Sequence, residues 1–84
     1  MAFVYMLRCA DDTLYTGWTT DLQKRLAMHN EGKASKCTRA RRPVQLVYFE
    51  ECADKSAALK REMAIKKLDR KQKEILVASI VVAE

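Results

Sequence analysis

The sequence predicts an α/β fold: a small, mostly antiparallel sheet of three strands, flanked by helices in the order β-β-α-β-α-α. Three observations support this prediction. Short segments rich in aromatic and β-branched residues favour strands. A polar turn without proline joins the first two of them, as in an antiparallel hairpin. Long segments without glycine or proline favour helices in the second half. The 84 residues fit one small domain, residues 1–84, that buries about 60% of its unfolded surface.

The first two strands are predicted to form the hairpin. Phe3 to Cys9 alternates between the two sides of an extended chain, and Leu14 to Trp18 folds back on it after the turn Ala10 to Thr13. Tyr5 and Tyr15 then lie in neighbouring strands. The sequence does not fix their register, because a slip of one residue exchanges the faces.

The first helix is predicted from its end signals. Thr20 to Gln23 has the form of a capping box, in which the Thr20 hydroxyl accepts from the backbone N–H of Gln23. The helix is therefore expected to begin near Asp21. It should end at Gly32, since glycine enters the left-handed conformation without a Cβ penalty.

One face of this helix mixes apolar and cationic residues. Leu22, Arg25, Leu26 and His29 share it at 3.6 residues per turn. Each polar residue has an ordinary structural interpretation, with Arg25 extending beside the core and His29 capping the helix end. Their joint occurrence beside two strand tyrosines favours a shared polar site.

The segment Lys33 to Arg42 is predicted to be a cationic loop ending at Pro43. It has no acidic residue, and Ser35 and Thr38 add hydroxyl donors between its cations. A solvated connector is one interpretation; we favour contact with nucleic-acid phosphates. The cations are Lys33, Lys36, Arg39, Arg41 and Arg42.

A third strand and two further helices complete the prediction. Val44 to Phe49 is nearly all apolar, which predicts a strand at a central position of the sheet. Asp54 can cap a helix over Lys55 to Leu68, and Asp69 can cap another over Arg70 to about Ala78.

Glu62 interrupts an apolar arc of the second helix, with Ala58 and Ile65 on one side of it and Leu59 on the other. An inward carboxylate is costly unless it is paired, hydrogen-bonded or bound to a cation. The simple alternative is an ion pair with Lys66, one turn later. Lys66 and Lys67 also belong to a second positive surface and are further candidates for phosphate contact.

The spacing of several polar residues resembles a known family. Tyr5, Tyr15-Thr16-Gly17, Arg25 and His29-Asn30 are similar to motifs of the GIY-YIG nuclease superfamily, most closely its small stand-alone bacterial (YhbQ-like) members. The resemblance extends from about Phe3 to about Val77.

This resemblance implies a metal-dependent endonuclease that hydrolyses phosphodiester bonds. By the family pattern, Glu62 holds one Mg²⁺ or Mn²⁺ ion, and Tyr5 or Tyr15 orients or deprotonates the attacking water. Arg25 stabilises negative charge, and His29 assists as acid, base or phosphate donor. The implied catalytic set is therefore Tyr5, Tyr15, Arg25, His29 and Glu62.

Two departures from the family pattern leave other functions open. Trp18 stands where several active members carry a lysine, and no asparagine follows Glu62. A nucleic-acid-binding module with little or no cleavage is the first alternative, and a basic adaptor for an acidic protein partner is the second. Binding to phosphates should weaken steeply with salt.

Charge and composition narrow the partners. The net charge of +5 indicates a polyanion, for which we expect nucleic acid, more specifically DNA, although charge alone does not separate DNA, RNA and an acidic membrane surface. No targeting segment or bilayer-length apolar run is apparent, and the three cysteines have neither zinc-site nor disulfide spacing. We expect a cytoplasmic monomer with reduced thiols and no membrane association.

Overall fold

The fold is built around strand β1, Ala2–Arg8, whose residues are buried on both faces of a three-stranded sheet. A computed structural model gives this architecture and describes residues 1–79. Strands β2, Leu14–Thr19, and β3, Gln45–Cys52, pair antiparallel with opposite sides of β1. The sheet order is β2-β1-β3, which confirms the predicted antiparallel sheet and its hairpin.

The register of the hairpin places both tyrosines on one face. Tyr5 lies opposite Gly17, and Leu7 lies opposite Tyr15. Because side chains alternate along a strand, Tyr5 and Tyr15 become diagonal neighbours on the same side of the sheet.

The predicted central position of the third strand is wrong, since β3 forms an edge of the sheet. The central position belongs to β1, where Val4, Tyr5 and Met6 are all buried. The apolar residues of β3 are less enclosed, with Leu46 and Phe49 36% and 43% exposed. A nearly continuous apolar run therefore did not mark burial on both sides.

Four helices accompany the sheet. They are α1, Leu22–Asn30, α2, Lys36–Arg39, α3, Lys55–Lys66, and α4, Arg70–Ser79. The predicted order β-β-α-β-α-α is confirmed, with the single turn α2 added inside the segment expected to be a loop. Its N-cap is a serine whose hydroxyl accepts a backbone N–H, an arrangement that begins a helical turn.

The N-terminal caps differ in part from the prediction. Thr20 does not cap α1; the chain is still extended at Asp21, whose carboxylate accepts from the backbone N–H of Lys24 at 3.1 Å. A reciprocal capping box instead begins α4. There Asp69 accepts from Gln72 N–H at 2.8 Å, while the Gln72 side chain accepts from Asp69 N–H at 3.1 Å.

The predicted end of α1 at Gly32 is confirmed. Gly32 has φ +78°, and its N–H donates to the carbonyl of His29 at 3.1 Å. The N–H of Lys33 donates to the carbonyl of Met28 at 2.9 Å. This pair of bonds satisfies the last carbonyls of the helix and needs a left-handed residue between them.

The sheet carries a small core on each face. Helices α3 and α4 cover one face, where the buried cluster is Ala2, Val4, Met6, Tyr48, Ala58 and Ile65, with Leu76 and Val77 packed against it. Helix α1 covers the other face. Its cluster is Tyr5, Leu7, Cys9 and Val44, with Tyr15, Leu22 and Leu26 at the margin. In residues 1–79, no helix combines the length and apolar character needed to cross a membrane.

Candidate active site

Gly17 makes room for the two tyrosines of the hairpin. A Cβ atom built at Gly17 would lie 2.7 Å from the Tyr5 hydroxyl and 3.2 Å from the Tyr15 ring. The ring centroids of Tyr5 and Tyr15 are 6.4 Å apart. The absence of a side chain at Gly17 therefore lets the phenol of Tyr5 extend across β2.

His29 joins this pair from the last turn of α1. It is 0% exposed, and its Nε2 atom lies 2.9 Å from the Tyr5 hydroxyl oxygen. Its ring meets Tyr15 edge to face, with centroids 5.1 Å apart. Three of the predicted catalytic residues thus form one cluster.

Thr38 belongs to the same cluster, which the sequence did not indicate. Its Oγ1 atom lies 2.8 Å from Nδ1 of His29, and the residue is fully buried. The sequence suggested Thr38 as a surface phosphate donor, an expectation that its burial contradicts. The Ser35 cap was a visible signal for the helical turn, but nothing local indicated which way Thr38 would point.

Burial controls the protonation of this cluster. The pKa of Tyr5 is raised from 10.0 to about 12, chiefly by burial and also by Tyr15, while the Arg25 guanidinium opposes the shift. Burial lowers the pKa of His29 below its usual 6.5, and the charge of Arg25 adds to that effect. Near neutral pH, the phenol therefore keeps its proton and the imidazole is uncharged.

Arg25 connects the cluster to an open cleft of about 330 Å³. Its side chain is half-buried, and its charge acts on both Tyr5 and His29. Lys24, the preceding residue, brings a second cation to the cleft. The lining residues are Thr19, Thr20, Asp21, Lys24, Arg25 and Met28.

Glu62 is turned inward and is also paired with Lys66, the two possibilities that its sequence position suggested. It is 9% exposed, and its carboxylate lies 3.2 Å from Nζ of Lys66. Ala58 and Ile65 are buried beside it, but Leu59, also predicted to flank Glu62, is 45% exposed. The negative charge of Glu62 contributes to the raised pKa of Tyr5, so the carboxylate acts on the cluster even though α3 covers the opposite face of the sheet.

The inward carboxylate of Glu62 is the candidate ligand for a divalent ion. Residues 1–79 contain no group of three or more His, Cys, Asp or Glu side chains suited to a metal. Mg²⁺ is usually bound through one or two carboxylates and keeps several waters, so a single inward carboxylate is compatible with it.

This arrangement agrees with comparison to known proteins. A family model described as the GIY-YIG catalytic domain matches residues 1–75. The chain belongs to this family. A UPF0213 protein of Clostridium perfringens is 51% identical over 84 residues, which cover 100% of this chain and 90% of that protein. A UPF0213 protein of Natronomonas pharaonis is 54% identical over 76 residues, covering 90% of this chain and 89% of that protein.

A solved structure supports the same assignment. The solution NMR structure of the UPF0213 protein from Bacillus halodurans aligns with a TM-score of 0.61 at 41% identity, covering 95% of this chain and 86% of that one. The GIY-YIG resemblance and the fold predicted from the sequence are both confirmed.

In this GIY-YIG domain, Trp18 is a partly buried residue that packs against the core. It lies opposite Val4 in the hairpin and packs against the cluster beneath α3. Its side chain therefore lies on the face opposite Tyr5. The position at which several active members carry a lysine is occupied here by a packing residue.

Two arginines of the cationic segment make contacts within the GIY-YIG domain. Nε of Arg41 lies 2.9 Å from the carboxylate of Asp11, which ties the segment to the hairpin turn. Arg42 donates from Nε to the carbonyl of Arg39 at 2.8 Å and from Nη1 to the carbonyl of Asn30 at 3.4 Å. Both side chains therefore have structural partners besides any role in binding.

Other predicted phosphate ligands are more available. The side chains of Lys36, Arg39 and Lys67 are exposed and form no hydrogen bond or ion pair within the part of the chain that the structure describes. Lys33 is also exposed and has only the surface partner Glu31 at 3.5 Å. These four cations are the members of the predicted binding surface least tied to contacts within the fold.

Proposed function

We propose that this chain is a monomeric, metal-dependent endonuclease that hydrolyses phosphodiester bonds in DNA. The observation that carries the proposal is the hydrogen bond of 2.9 Å between the Tyr5 hydroxyl and Nε2 of buried His29. The charges of Arg25 and Glu62 act on the same phenol. Membership in the GIY-YIG catalytic domain family supports this chemistry.

Tyr5 and His29 would perform the proton transfers. A phenol whose pKa is raised to about 12 cannot act as a base unless its own proton is first removed. The neutral imidazole of His29 is the adjacent acceptor, and Arg25 stabilises the phenolate that remains. The phenolate then takes a proton from the attacking water. Tyr15, packed against His29, would orient that water.

Arg25 and Lys24 would bind the scissile phosphate in the cleft. The planar guanidinium donates two parallel hydrogen bonds to phosphate oxygens and opposes the charge that develops on them. Lys24 is exposed and supplies a second cation at the entrance.

Glu62 would hold the divalent ion, Mg²⁺ or Mn²⁺. When bound, such an ion neutralises developing charge on the phosphate and lowers the pKa of coordinated water. Lys66 presently balances the Glu62 carboxylate, so cation binding requires this ammonium to give way. Its side chain is 53% exposed, and it can turn toward solvent or toward DNA phosphates.

The exposed cations Lys33, Lys36, Arg39, Lys66 and Lys67 would hold the DNA backbone. Arg41 and Arg42 contribute positive charge but remain tied to the fold. The segment over residues 33–42 has no aromatic side chain for stacking on bases. We therefore infer that the domain recognises the backbone and shape of its substrate more than its sequence.

One observation favours a second candidate, a nucleic-acid-binding module without cleavage. Trp18, packed against the core, replaces a cation that several active members of the family place near the site. In that case DNA binding and its salt dependence would persist, while no substrate would be cut.

A cleavage assay distinguishes the two candidates. Linear, nicked and branched DNA, together with matched RNA, would be incubated with Mg²⁺, with Mn²⁺ and with a chelator. We expect metal-dependent cutting of at least one substrate, lost in Arg25→Ala and kept in the charge-matched control Lys55→Ala, whose side chain is exposed at the start of α3. Binding without cutting on any substrate would establish the second candidate instead.

A further inference from the structure

We propose that Thr38 is a positioning residue that fixes His29 in the tautomer protonated at Nδ1, which leaves Nε2 free to accept the phenolic proton of Tyr5. The three side chains form a continuous chain of hydrogen bonds. Tyr5 lies 2.9 Å from Nε2 of His29, and Thr38 lies 2.8 Å from Nδ1. The Thr38 hydroxyl in turn lies 3.4 Å from the carbonyl oxygen of Ser35.

The number of available protons determines which group donates and which accepts in each of these hydrogen bonds. If His29 carries its proton on Nδ1, Tyr5 donates to Nε2, Nδ1–H donates to Thr38, and Thr38 donates to the Ser35 carbonyl. Every proton then has an acceptor. The Ser35 carbonyl also accepts from the backbone N–H of Arg39 at 3.0 Å, and a carbonyl oxygen has a second lone pair for Thr38.

The opposite tautomer leaves a buried donor without a partner. With the proton on Nε2, His29 would donate to the Tyr5 oxygen, and the phenolic hydrogen would need another acceptor. Within residues 1–79, the Tyr5 hydroxyl has no hydrogen-bond acceptor other than His29, and the residue is 1% exposed. The nearby Arg25 guanidinium has donors only. An unsatisfied buried donor is costly, so the Nδ1–H tautomer is favoured.

The catalytic consequence rests on the function proposed above. In the Nδ1–H tautomer, the O–H bond of Tyr5 breaks as an N–H bond forms at Nε2 of His29. The products are a phenolate beside Arg25 and an imidazolium whose Nδ1–H still donates to Thr38. Without the Thr38 hydroxyl, the Nδ1–H group loses its acceptor, and His29 can adopt the tautomer protonated at Nε2. A proton on Nε2 blocks proton transfer from Tyr5.

The test uses ¹⁵N NMR of the imidazole nitrogens. His29 is the single histidine of the chain, so both signals belong to it. In the wild-type protein we expect a protonated Nδ1 and an unprotonated Nε2. Thr38→Val keeps the shape but removes the hydroxyl, and should move the population toward the Nε2–H form. Thr38→Ser keeps the hydroxyl and should restore the wild-type spectrum.

Kinetics on the same variants provide the second measurement. We expect Thr38→Val to lower kcat by about 10- to 100-fold with KM nearly unchanged, the range found when the hydrogen-bond partner that orients a metal-ligating histidine is lost, and Thr38→Ser to recover most of it. A wild-type spectrum with the proton on Nε2 overturns the proposal even if the valine variant does not fold. An unchanged tautomer in a folded Thr38→Val protein also overturns it. If wild-type protein cuts no substrate, the nuclease function fails, while the spectrum still decides the tautomer.

Discussion

The burial of His29 makes the stability of the folded protein depend on pH, because it shifts the pKa of the imidazole. Its pKa is lowered below 6.5, chiefly by burial and further by Arg25. The unfolded chain therefore binds a proton at pH values where the folded chain does not. By linkage, stability is fully present above pH 6.5 and falls as the pH drops from there toward the lowered pKa of the folded state.

We expect the melting temperature of the wild-type protein to fall as the pH drops below 6.5, beginning above the range in which carboxylates ordinarily titrate. His29→Gln removes the titrating group and should flatten the first part of this fall, although it lowers stability throughout. Thermal unfolding of both proteins in a pH series provides the measurement. Parallel curves would show that another group causes the dependence.

The two tyrosines should respond differently to loss of the hydroxyl. Tyr5→Phe keeps the ring but removes the proton donor to His29, so we expect cleavage to be lost and stability to fall by about 1 kcal/mol. Tyr15→Phe removes a hydroxyl of a half-buried ring that contacts His29 through its edge. It should lower turnover with little change in stability. Turnover and melting temperature are measured on both variants; equal wild-type activity in both would make the pair ordinary core residues.

The middle residue of the Tyr15-Thr16-Gly17 motif offers a test on the opposite face of the sheet. Thr16 is 4% exposed, and its hydroxyl has no hydrogen-bond partner among residues 1–79. Thr16→Val keeps the branched shape and removes the unsatisfied oxygen, so stability should rise by about 1 kcal/mol. Denaturant unfolding measures this, and cleavage should be unchanged. Destabilisation would mean that the hydroxyl has a partner such as ordered water.

At the scale of elements, sequence patterns correctly predicted the features that depend on residues close together in the chain. The hairpin strands, the stop at Gly32 and the caps at Asp54 and Asp69 depend on residues only a few positions apart, and the structure confirms them. The start of α1 shifted by one residue because Asp21 competes with Thr20 as the cap.

Features that depend on tertiary packing could not be predicted from these local sequence patterns. The order of the strands depends on which faces the helices cover, so the apolar run of β3 did not show that it lies at an edge. The hydrogen bond between His29 and Thr38 depends on how the cationic segment folds back on α1. Tyr5, Tyr15 and His29 could be placed together from the sequence, but their register and fourth partner could not.

The helical turn α2 separates binding from stability within the cationic segment. Lys36 and Arg39 are exposed on it without side-chain partners in residues 1–79, whereas Arg42 bonds to two carbonyl groups. We expect Lys36→Ala combined with Arg39→Ala to weaken DNA binding and reduce the slope of log affinity against log salt by about 2, without a change in melting temperature.

The matched control for this double variant is Arg42→Ala, which should lower the melting temperature because it frees the end of α1 from the connector. Binding is measured by titration at several salt concentrations. If the double variant keeps the affinity and slope of the wild-type protein, the segment is a connector with no contact to phosphate.

At the scale of the whole molecule, the candidate site combines the two faces of the sheet. Tyr5, His29 and Arg25 come from the face beneath α1, and Glu62 comes from α3 on the other face. The charge of Glu62 nevertheless raises the pKa of Tyr5. Gly17, the glycine of strand β2, leaves space for the phenol across that strand. The fold therefore places the Tyr5 phenol in contact with the His29 imidazole and under the opposing charges of Arg25 and Glu62.

This arrangement predicts distinct effects for the two halves of the Glu62–Lys66 pair. Glu62→Gln keeps size and polarity but removes the charge that a hard divalent cation prefers. If Glu62 binds metal, this variant should lose metal-dependent cleavage and keep its affinity for DNA, since one negative charge fewer favours a polyanion. Its stability should change little, because an i,i+4 pair with a half-exposed lysine contributes only about 0.2–0.5 kcal/mol.

Lys66→Ala is the matched control because it breaks the same ion pair while keeping the carboxylate. It should bind DNA somewhat more weakly, because Lys66 is also a proposed phosphate contact, but at saturating DNA it should still cleave. It should need less Mg²⁺ for half-maximal rate, since the ammonium no longer competes for Glu62. A purely structural pair predicts a different pattern, in which both variants keep cleavage and lose the same small amount of stability. Measuring melting temperature, DNA affinity and the Mg²⁺ dependence of turnover on both proteins separates the two. Intact turnover in Glu62→Gln would exclude Glu62 as the metal ligand.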